Sequence, residues 1–190
     1  MSATLISATG LGAMRGERVL FRDVSLQAKA GELILLRGTN GSGKTTLLRQ
    51  LAGLSEPQAG TIERAGPHHW LGHSNGLKAH ETPRSHLKHW ARVWGSHSEI
   101  ESILERMGMK RPADVPCRML SAGQKRRTAL GRLLLVERPL WLLDEPFNAL
   151  DTDGQELLAE MIKAHRTSGG AVIAALHGAS PLAANREVGL

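Results

Sequence analysis

A glycine-rich segment of the sequence, GTNGSGKTT at residues 38–46, constrains this chain more than any other stretch. It lies between an apolar run at 33–36 and a helix-forming run at 47–51. A strand, a glycine-rich loop and a helix in this order direct several backbone N–H groups and the positive end of the helix dipole at one anion. The segment therefore predicts a site for a nucleoside triphosphate.

Each residue type in this loop has a physical purpose at the predicted site. The nine residues are Gly38, Thr39, Asn40, Gly41, Ser42, Gly43, Lys44, Thr45 and Thr46. The glycines let the backbone bend tightly against the phosphates, where a Cβ would obstruct the approach. Lys44 brings positive charge to the outer phosphates, and Thr45 offers a hydroxyl to Mg²⁺. We therefore expect nucleotide and Mg²⁺ to bind together.

Length and composition indicate one globular domain that has an anionic neighbour. The chain has 190 residues, of which 41% are apolar, and its net charge is +6. Nucleotide, lipid headgroups and nucleic acid all suit that charge. A single cysteine, Cys117, excludes an internal disulfide, and we expect it to be a packed residue. Because no run approaches the roughly 20 apolar residues of a spanning helix and residues 1–5 lack the basic and apolar blocks of a signal peptide, we expect a cytosolic protein or one held at a membrane by a partner.

Hydrophobic periodicity predicts an α/β fold with an inserted helical part. We predict strands at 2–9, 19–28, 33–36, 61–63, 70–73, 140–143 and 171–176, and helices from 47 to about 53, at 82–94, at 98–108 and at 152–167. The composition shifts after His73, and seven of the nine histidines lie between His68 and His97. We therefore predict one domain over 1–190, with a helical subdomain inserted at about 78–135.

The density of histidines raises a metal or haem site as an alternative for this region. His69 and His73, and likewise His86 and His89, have spacings that could share one helical face. However, no cysteine or carboxylate completes a recognisable set of ligands around them. We therefore interpret these histidines as solvated or hydrogen-bonded side chains.

A second helix N-terminus is predicted at residues 120–124, which read LSAGQ. Ser121 suits the N-cap position, and Gln124 lies three residues later, as in a capping box. The three basic residues that follow, at 125–127, could bind phosphate or form a solvated face. The segment thus offers a second set of helix N–H groups to an anion.

Two acidic residues end the apolar strand predicted at 140–143. Asp144 is our candidate ligand for Mg²⁺, and Glu145 is our candidate to orient or deprotonate an attacking water. His177 follows the strand predicted at 171–176. Because ligands gather at the carboxyl ends of strands in open α/β sheets, we expect these residues and the phosphate loop to share one site.

The chain resembles the ATP-binding subunits of ABC transporters over nearly its whole length. The resemblance rests on GTNGSGKTT at 38–46, LSAGQ at 120–124, LWLLDEP at 140–146, ALD at 149–151, which looks like a D-loop and ends in Asp151, and His177. LSAGQ between the phosphate loop and the acidic pair distinguishes this family from other P-loop proteins. The resemblance implies the P-loop NTPase fold of ABC ATPases, in which a mixed sheet core carries a helical subdomain and an antiparallel β edge.

The resemblance also implies the partners and the roles of individual residues. In that family two subunits pair head to tail, and ATP lies between the phosphate loop of one and the signature helix of the other. The signature residues here are Leu120, Ser121, Ala122, Gly123 and Gln124. Ser121 and Gly123 would contact the γ-phosphate across a homodimer. Glu145 would be the catalytic base, His177 would sense or stabilise the γ-phosphate, and Asp151 would belong to the D-loop.

Within that family the chain looks most like the ATP-binding subunits of cytochrome c biogenesis, or haem exporter, systems. The segments at 16–21, 71–78 and 114–127 and the short length carry this resemblance. It implies an ATPase at the cytoplasmic face of the inner membrane, bound peripherally to integral subunits like CcmB and CcmC of a cytochrome c maturation complex. ATP hydrolysis would power haem delivery through release of a haem-loaded chaperone. No nucleic acid partner is expected.

The sequence departs from the family pattern at two positions. Ser74, followed by Asn75, occupies the place of the usual glutamine at the junction with the helical part, and serine is too short for the same contact. Met14 and Arg15 fall where an aromatic residue usually stacks on adenine, and Arg15 could stack through its guanidinium plane instead. We therefore expect other residues to couple the two parts of the domain.

Three alternatives stand beside this interpretation. The first is the ATPase of another exporter, because the membrane subunit would select the substrate. The second is a soluble ABC ATPase that acts on nucleic acid or the ribosome, which would suit the basic charge, although no second cassette, coiled-coil insertion or zinc module accompanies it. The third is a P-loop kinase, against which LSAGQ argues.

Overall fold

The computed structural model of the protein describes residues 2–178 and 182–190, which form eight strands and five helices. The strands are β1 (Thr4–Arg15), β2 (Arg18–Lys29), β3 (Leu33–Arg37), β4 (Ala59–Arg64), β5 (His68–Leu71), β6 (Leu140–Asp144), β7 (Ala171–Ala175) and β8 (Arg186–Gly189). The helices are α1 (Lys44–Leu51), α2 (Pro83–Trp94), α3 (Ile100–Arg106), α4 (Ala122–Leu130) and α5 (Thr152–Thr167).

These elements divide into two compact units. The described residues of Met1–His73, Arg138–Pro146 and Ala159–Leu190 form the first unit, and Ser74–Glu137 with Phe147–Leu158 form the second. The sequence predicts a helical insertion at about 78–135 within a single domain, and that assignment stays a prediction. Among the described residues, every helix is too short or too polar to cross a membrane.

A five-stranded sheet with only parallel pairs organises the first unit. Its strand order is β5-β6-β7-β3-β8. Residues 33–36 of β3 are fully buried, as are nearly all residues of β6 and β7. Such continuous apolar runs are typical of strands that are covered on both faces. Because the strands are parallel, the segments after β3, β5, β6 and β7 all leave the sheet at the same edge.

A separate three-stranded antiparallel sheet, in the order β2-β1-β4, completes the first unit. The predicted strand at 2–9 is too short, because the ladder between β1 and β2 continues to Met14↔Val19 and Arg15↔Arg18. Glycines at 10 and 12 weaken the strand signal in the sequence, but the register shifts of this hairpin accommodate them. The core between the sheets and helix α1 includes Ile6, Leu11, Phe21, Ile34, Leu36, Leu47 and Leu48.

The edge strand β8 is an element that the sequence analysis missed. It pairs with β3 in parallel, with Ile34↔Arg186 and Leu36↔Val188. Arg37 Nη2 lies 2.9 Å from Glu187 Oε1, and the backbone N–H of Leu33 donates to Asn185 Oδ1 at 2.9 Å. Because β8 contains one apolar residue, Val188, hydrophobic periodicity does not reveal it. Only its pairing with β3 identifies it as a strand.

The second unit is built mainly from helices. Thr82 caps α2 in a reciprocal capping box with Ser85, and Gly95 ends the helix with a φ of 64°. Helix α3 is shorter than the predicted 98–108 and begins only at Ile100. Buried Leu87 of α2 and Leu104 of α3 lie in the apolar interior of this unit. Short 3₁₀ turns follow at Cys117–Met119 and Gly131–Leu134.

Candidate functional site

The phosphate loop leaves β3 and turns directly into α1. Gly43 occupies the N-cap position of α1 with a φ of 109°. A Cβ there would lie 2.8 Å from Phe21 Cδ1 and 3.1 Å from Leu20 Cβ. Glycine is therefore required both by the backbone conformation and by the close approach of β2. The helix therefore begins directly at the loop, where the first N–H groups of an α-helix have no partner within the helix.

Two carbonyl oxygens of the phosphate loop hold the side chain of Lys44 in place. Its Nζ donates to the carbonyl oxygens of Gly38 at 2.7 Å and of Thr39 at 3.0 Å. Only 6% of Lys44 is exposed. The hydroxyl of Ser42 is buried and has no hydrogen-bond partner among the described residues. A buried ammonium and an unpartnered hydroxyl in a glycine-rich loop fit an anionic ligand with several oxygens.

Thr45 and Asp144 bring two oxygen ligands side by side. Thr45 Oγ1 donates to Asp144 Oδ2 at 2.8 Å. Asp144 ends β6 and is 2% exposed, and it pairs in register with Ala175 of β7. A hydroxyl and a carboxylate are ligands that Mg²⁺ prefers. The donor set therefore fits the predicted ion.

Glu145 has an unusual backbone conformation at the end of β6. Its φ is 46°, in the left-handed region, which costs a residue with a Cβ about 1 kcal/mol. Its N–H donates to the carbonyl oxygen of Ala175 at 3.0 Å. Glu145 Oε2 lies 3.4 Å from His73 Nδ1. Strained residues of this kind cluster at functional sites, and the contact with His73 was not predicted from the sequence.

His177 follows β7 at the same edge of the sheet, two residues after Ala175, and it is exposed. The next residue, Gly178, accepts a hydrogen bond through its carbonyl oxygen from Arg37 Nη1 at 2.5 Å. The first unit thus brings the phosphate loop, Asp144 and Glu145 to one edge, with His177 beyond the neighbouring strand. The roles predicted for these residues stay predictions.

The segment at 120–124 forms the predicted helix start in the second unit. Ser121 Oγ accepts from the backbone N–H of Gln124 at 3.1 Å, and Gln124 Oε1 accepts from the N–H of Ser121 at 3.0 Å. The capping box predicted from the sequence is therefore confirmed. Leu120 is buried, whereas Ser121 and Ala122 are exposed. The cap leaves the start of α4 accessible at the surface of its unit.

Residues 149–151, the predicted D-loop, pack against the start of α4 within the second unit. A Cβ at Gly123 would lie 2.9 Å from the carbonyl oxygen of Ala149, so a side chain at Gly123 would push the D-loop away. Asp151 Oδ1 accepts from Arg127 Nη2 at 2.5 Å and from the N–H of Gly154 at 3.0 Å. These bonds, that from Arg127 foremost, lower the pKa of Asp151 below its ordinary value. The sequence analysis missed this role of Arg127.

The residues that the sequence analysis sets apart from the family pattern, at 74–75 and 14–15, lie at or near the surface. Ser74 is exposed, and Asn75 Oδ1 accepts from Arg126 Nη1 at 3.1 Å. Met14 and Arg15 end β1 and are both exposed. Their expected parts in coupling and in adenine binding stay predictions.

The histidines at 69, 73, 86 and 89 belong to different surroundings. His69 is buried within β5, and His86 Nδ1 lies 3.0 Å from Glu81 Oε1. In the part of the chain that the structure describes, no group of three or more His, Cys, Asp or Glu side chains could hold a metal ion. Cys117 is buried, and that burial raises the pKa of its thiol.

Comparisons with known proteins agree on one family. The family described as ABC transporter matches residues 21–148. A cytochrome c biogenesis ATP-binding export protein CcmA from Hyphomonas neptunium is 56% identical over 189 residues, which cover 100% of this chain and 98% of the relative. Another CcmA, from Methylococcus capsulatus, is 42% identical and covers 93% of each chain.

A solved structure extends the likeness to the fold. A chain described as the ATP-binding subunit of an ABC transporter superposes with a TM-score of 0.81 and 25% identity, covering 91% of this chain and 79% of that one. The predicted fold class is therefore confirmed. The structure adds that the antiparallel strands form their own sheet beside the parallel one.

Proposed function

We infer the function from the family: this chain belongs to the ABC transporter family and, within it, to the cytochrome c biogenesis ATP-binding export proteins named CcmA. It is the ATP-hydrolysing subunit of an ABC complex. We propose that its complex lies at the inner membrane, where this chain would be peripheral on the cytoplasmic face, and that hydrolysis powers haem delivery for cytochrome c maturation.

The bond between Thr45 and Asp144, beside the carbonyl-held Lys44, carries the catalytic part of the proposal. The loop N–H groups and Lys44 would hold the phosphates of ATP. Thr45 and Asp144 would be ligands of Mg²⁺, directly or through water. Mg²⁺, when bound, neutralises charge on the β- and γ-phosphates.

Glu145 would act on the attacking water. The water oxygen forms a bond to the γ-phosphorus, and the bond between that phosphorus and the β–γ bridging oxygen breaks, so that ADP leaves. The carboxylate of Glu145 accepts the proton that the water loses and returns it to the phosphate product or to solvent. His177 would contact the γ-phosphate before this step.

Two copies of the chain would form the complete site. The exposed start of α4, with Ser121 and Gly123, supports a contact to the γ-phosphate bound by the other copy. The packing of Gly123 against the carbonyl oxygen of Ala149 and the pair of Arg127 with Asp151 would fix the D-loop at that contact. ATP would favour the closed homodimer, and hydrolysis would release it, because ATP and ADP make different contacts.

The closed and open states would drive integral membrane subunits like CcmB and CcmC. In this proposal the change of state releases a haem-loaded chaperone on the far side of the membrane. The membrane subunits, rather than this chain, would select what is delivered.

The test replaces Glu145 by glutamine in the native host and stains c-type cytochromes for haem. We expect Glu145→Gln protein to bind ATP with near-normal affinity but to turn over slowly, and haem-stained cytochromes to disappear while apocytochromes are still made and exported. Glu160→Gln, at an exposed position of α5, is the matched control and should leave staining unchanged. Normal staining with Glu145→Gln, in a strain without a second copy, would discard the cytochrome pathway and leave the ATPase of another exporter.

A further inference from the structure

We propose that His73 is a positioning residue for Glu145, which it holds in the orientation needed to accept the proton of the attacking water. This inference rests on the proposed function, in which Glu145 is the base. Both residues belong to the first unit.

The register of the sheet places the two residues opposite each other. Strands β5 and β6 pair in parallel, and the last pair is Leu71↔Leu143. His73 lies two residues after Leu71, and Glu145 lies two residues after Leu143. Equal steps from this last pair bring the backbones of His73 and Glu145 to the same end of two neighbouring strands.

The two side chains are in contact there. His73 Nδ1 lies 3.4 Å from Glu145 Oε2. Strong charge-assisted hydrogen bonds are shorter, at about 2.7–2.9 Å, and catalytic hydrogen bonds commonly tighten only when substrate binds. The side chain of His73 is 71% exposed, whereas that of Glu145 is only 21% exposed. The imidazole thus reaches the carboxylate from the solvent side.

The contact with His73 acts on a different part of Glu145 from its backbone bond. The bond from its N–H to Ala175 fixes the backbone at a φ of 46°. A backbone bond does not by itself select among the rotamers of a long side chain, so the contact at Oε2 adds a restraint on the carboxylate.

The residue after His73 supports a positioning role for His73. Ser74 stands where the family usually carries a glutamine, and its hydroxyl is too short to replace an amide. His73, one residue earlier, has its ring Nδ1 at 3.4 Å from the carboxylate, where an Nδ1–H would be a donor to Oε2. The structure therefore assigns to the residue before Ser74 a contact with the base that the sequence pattern does not predict.

The test is a double-mutant cycle on the full-length chain, read by single-turnover hydrolysis of radiolabelled ATP and by ATP affinity. The variants are His73→Ala, His73→Gln, Glu145→Gln and the His73→Ala/Glu145→Gln double variant. His97→Ala is the matched control, because His97 is likewise an exposed histidine. Thermal unfolding of each variant verifies that it folds.

We expect His73→Ala to lower the hydrolysis rate at saturating ATP about three- to tenfold, with ATP affinity changed less than about twofold. His73→Gln retains an N–H donor and should recover part of the rate. In the Glu145→Gln background, His73→Ala should slow hydrolysis no further, because the group that it positions is already lost.

Three results would overturn the inference. One is an unchanged or faster rate in His73→Ala, which would make the contact idle or inhibitory. Another is a His73→Ala defect of the same size with and without the Glu145 carboxylate, and the third is a His73→Gln variant no better than His73→Ala. Normal hydrolysis by Glu145→Gln is a separate result, since it would remove Glu145 from the proposed function itself.

Discussion

At the scale of single residues, the phosphate loop itself orients the lysine that is predicted to bind phosphate. Lys44 is buried, and its ammonium is directed by two carbonyl oxygens of its own loop. Residues 38–46 could be named from the sequence because the chemistry of phosphate binding fixes both residue type and spacing. The contact of His73 with Glu145 could not be predicted from the sequence, because it depends on which strand lies beside β6.

Lys44→Ala should abolish hydrolysis and weaken ATP binding by more than about tenfold, because it removes a charge-assisted donor to the outer phosphates. The measurement is equilibrium binding of a fluorescent ATP analogue together with phosphate release. Lys163→Ala, at an exposed position of α5, should match the unchanged protein in both. Tight nucleotide binding by Lys44→Ala would contradict the role given to this lysine.

A second prediction at this scale concerns His86, which is 1% exposed and lies beside Glu81. Burial lowers the pKa of His86 below 6.5, against the opposing effect of Glu81, and Arg132 lowers it further. As the pH falls below 6.5, His86 is protonated in the unfolded chain but stays neutral in the folded chain. The free energy of unfolding should therefore fall until the pH reaches the folded-state pKa of His86.

The measurement is the midpoint of thermal unfolding between about pH 7.5 and pH 5. His86→Gln should show a smaller loss of stability over this range, because glutamine is polar but does not titrate. His89→Gln changes an exposed histidine of the same helix and should keep the dependence of the unchanged protein. Equal pH dependence in His86→Gln and the unchanged protein would show that His86 does not titrate between the two states.

At the scale of elements, local signals predicted the helices better than the edge strands. Ser121 and Gln124 predicted the capping box that begins α4, and Pro83 predicted the first turn of α2, whose own capping box and final Gly95 the structure adds. These signals lie within a few residues of one another, so the sequence displays them directly. Strand β8 is a strand only through its pairing with β3, and the full length of β1 depends on its ladder with β2.

The cap of α2 gives a prediction at this scale. Thr82→Ala should lower the free energy of unfolding by about 1 kcal/mol, because the N–H of Ser85 loses its acceptor. Thr82→Ser keeps the hydroxyl and should retain most of the stability. Urea unfolding measures both variants, and ATP affinity should be unchanged. Equal stability of Thr82→Ala and Thr82→Ser would mean that the cap contributes little.

At the scale of the whole molecule, the residues predicted to handle ATP are divided between the two units. The phosphate loop, Asp144 and Glu145 belong to the first unit, and the signature helix with the D-loop belongs to the second. If two copies share each site, as proposed, defects in the two sets of residues should complement each other.

The complementation test mixes Lys44→Ala with Ser121→Arg, each inactive alone. Ser121 is exposed, so arginine has room there and should block the contact to the γ-phosphate, while loss of the Ser121 cap should lower the free energy of unfolding by about 1 kcal/mol. A dimer with one copy of each has one site in which both components are intact. Random pairing should therefore restore about a quarter of the unchanged ATPase rate if the sites act independently. A mixture no more active than its separate components would argue against a shared site.

The sequence by itself determined the phosphate loop, the acidic pair at the end of β6, the capped start of α4 and the family, because each depends on residues that are close together in the chain. Tertiary structure alone decided the order of strands, the edge strand β8, the close approach of Phe21 to Gly43 and the placement of His73 against Glu145. These features join segments far apart in the sequence, and the parallel register of β5 and β6 sets which side chains meet.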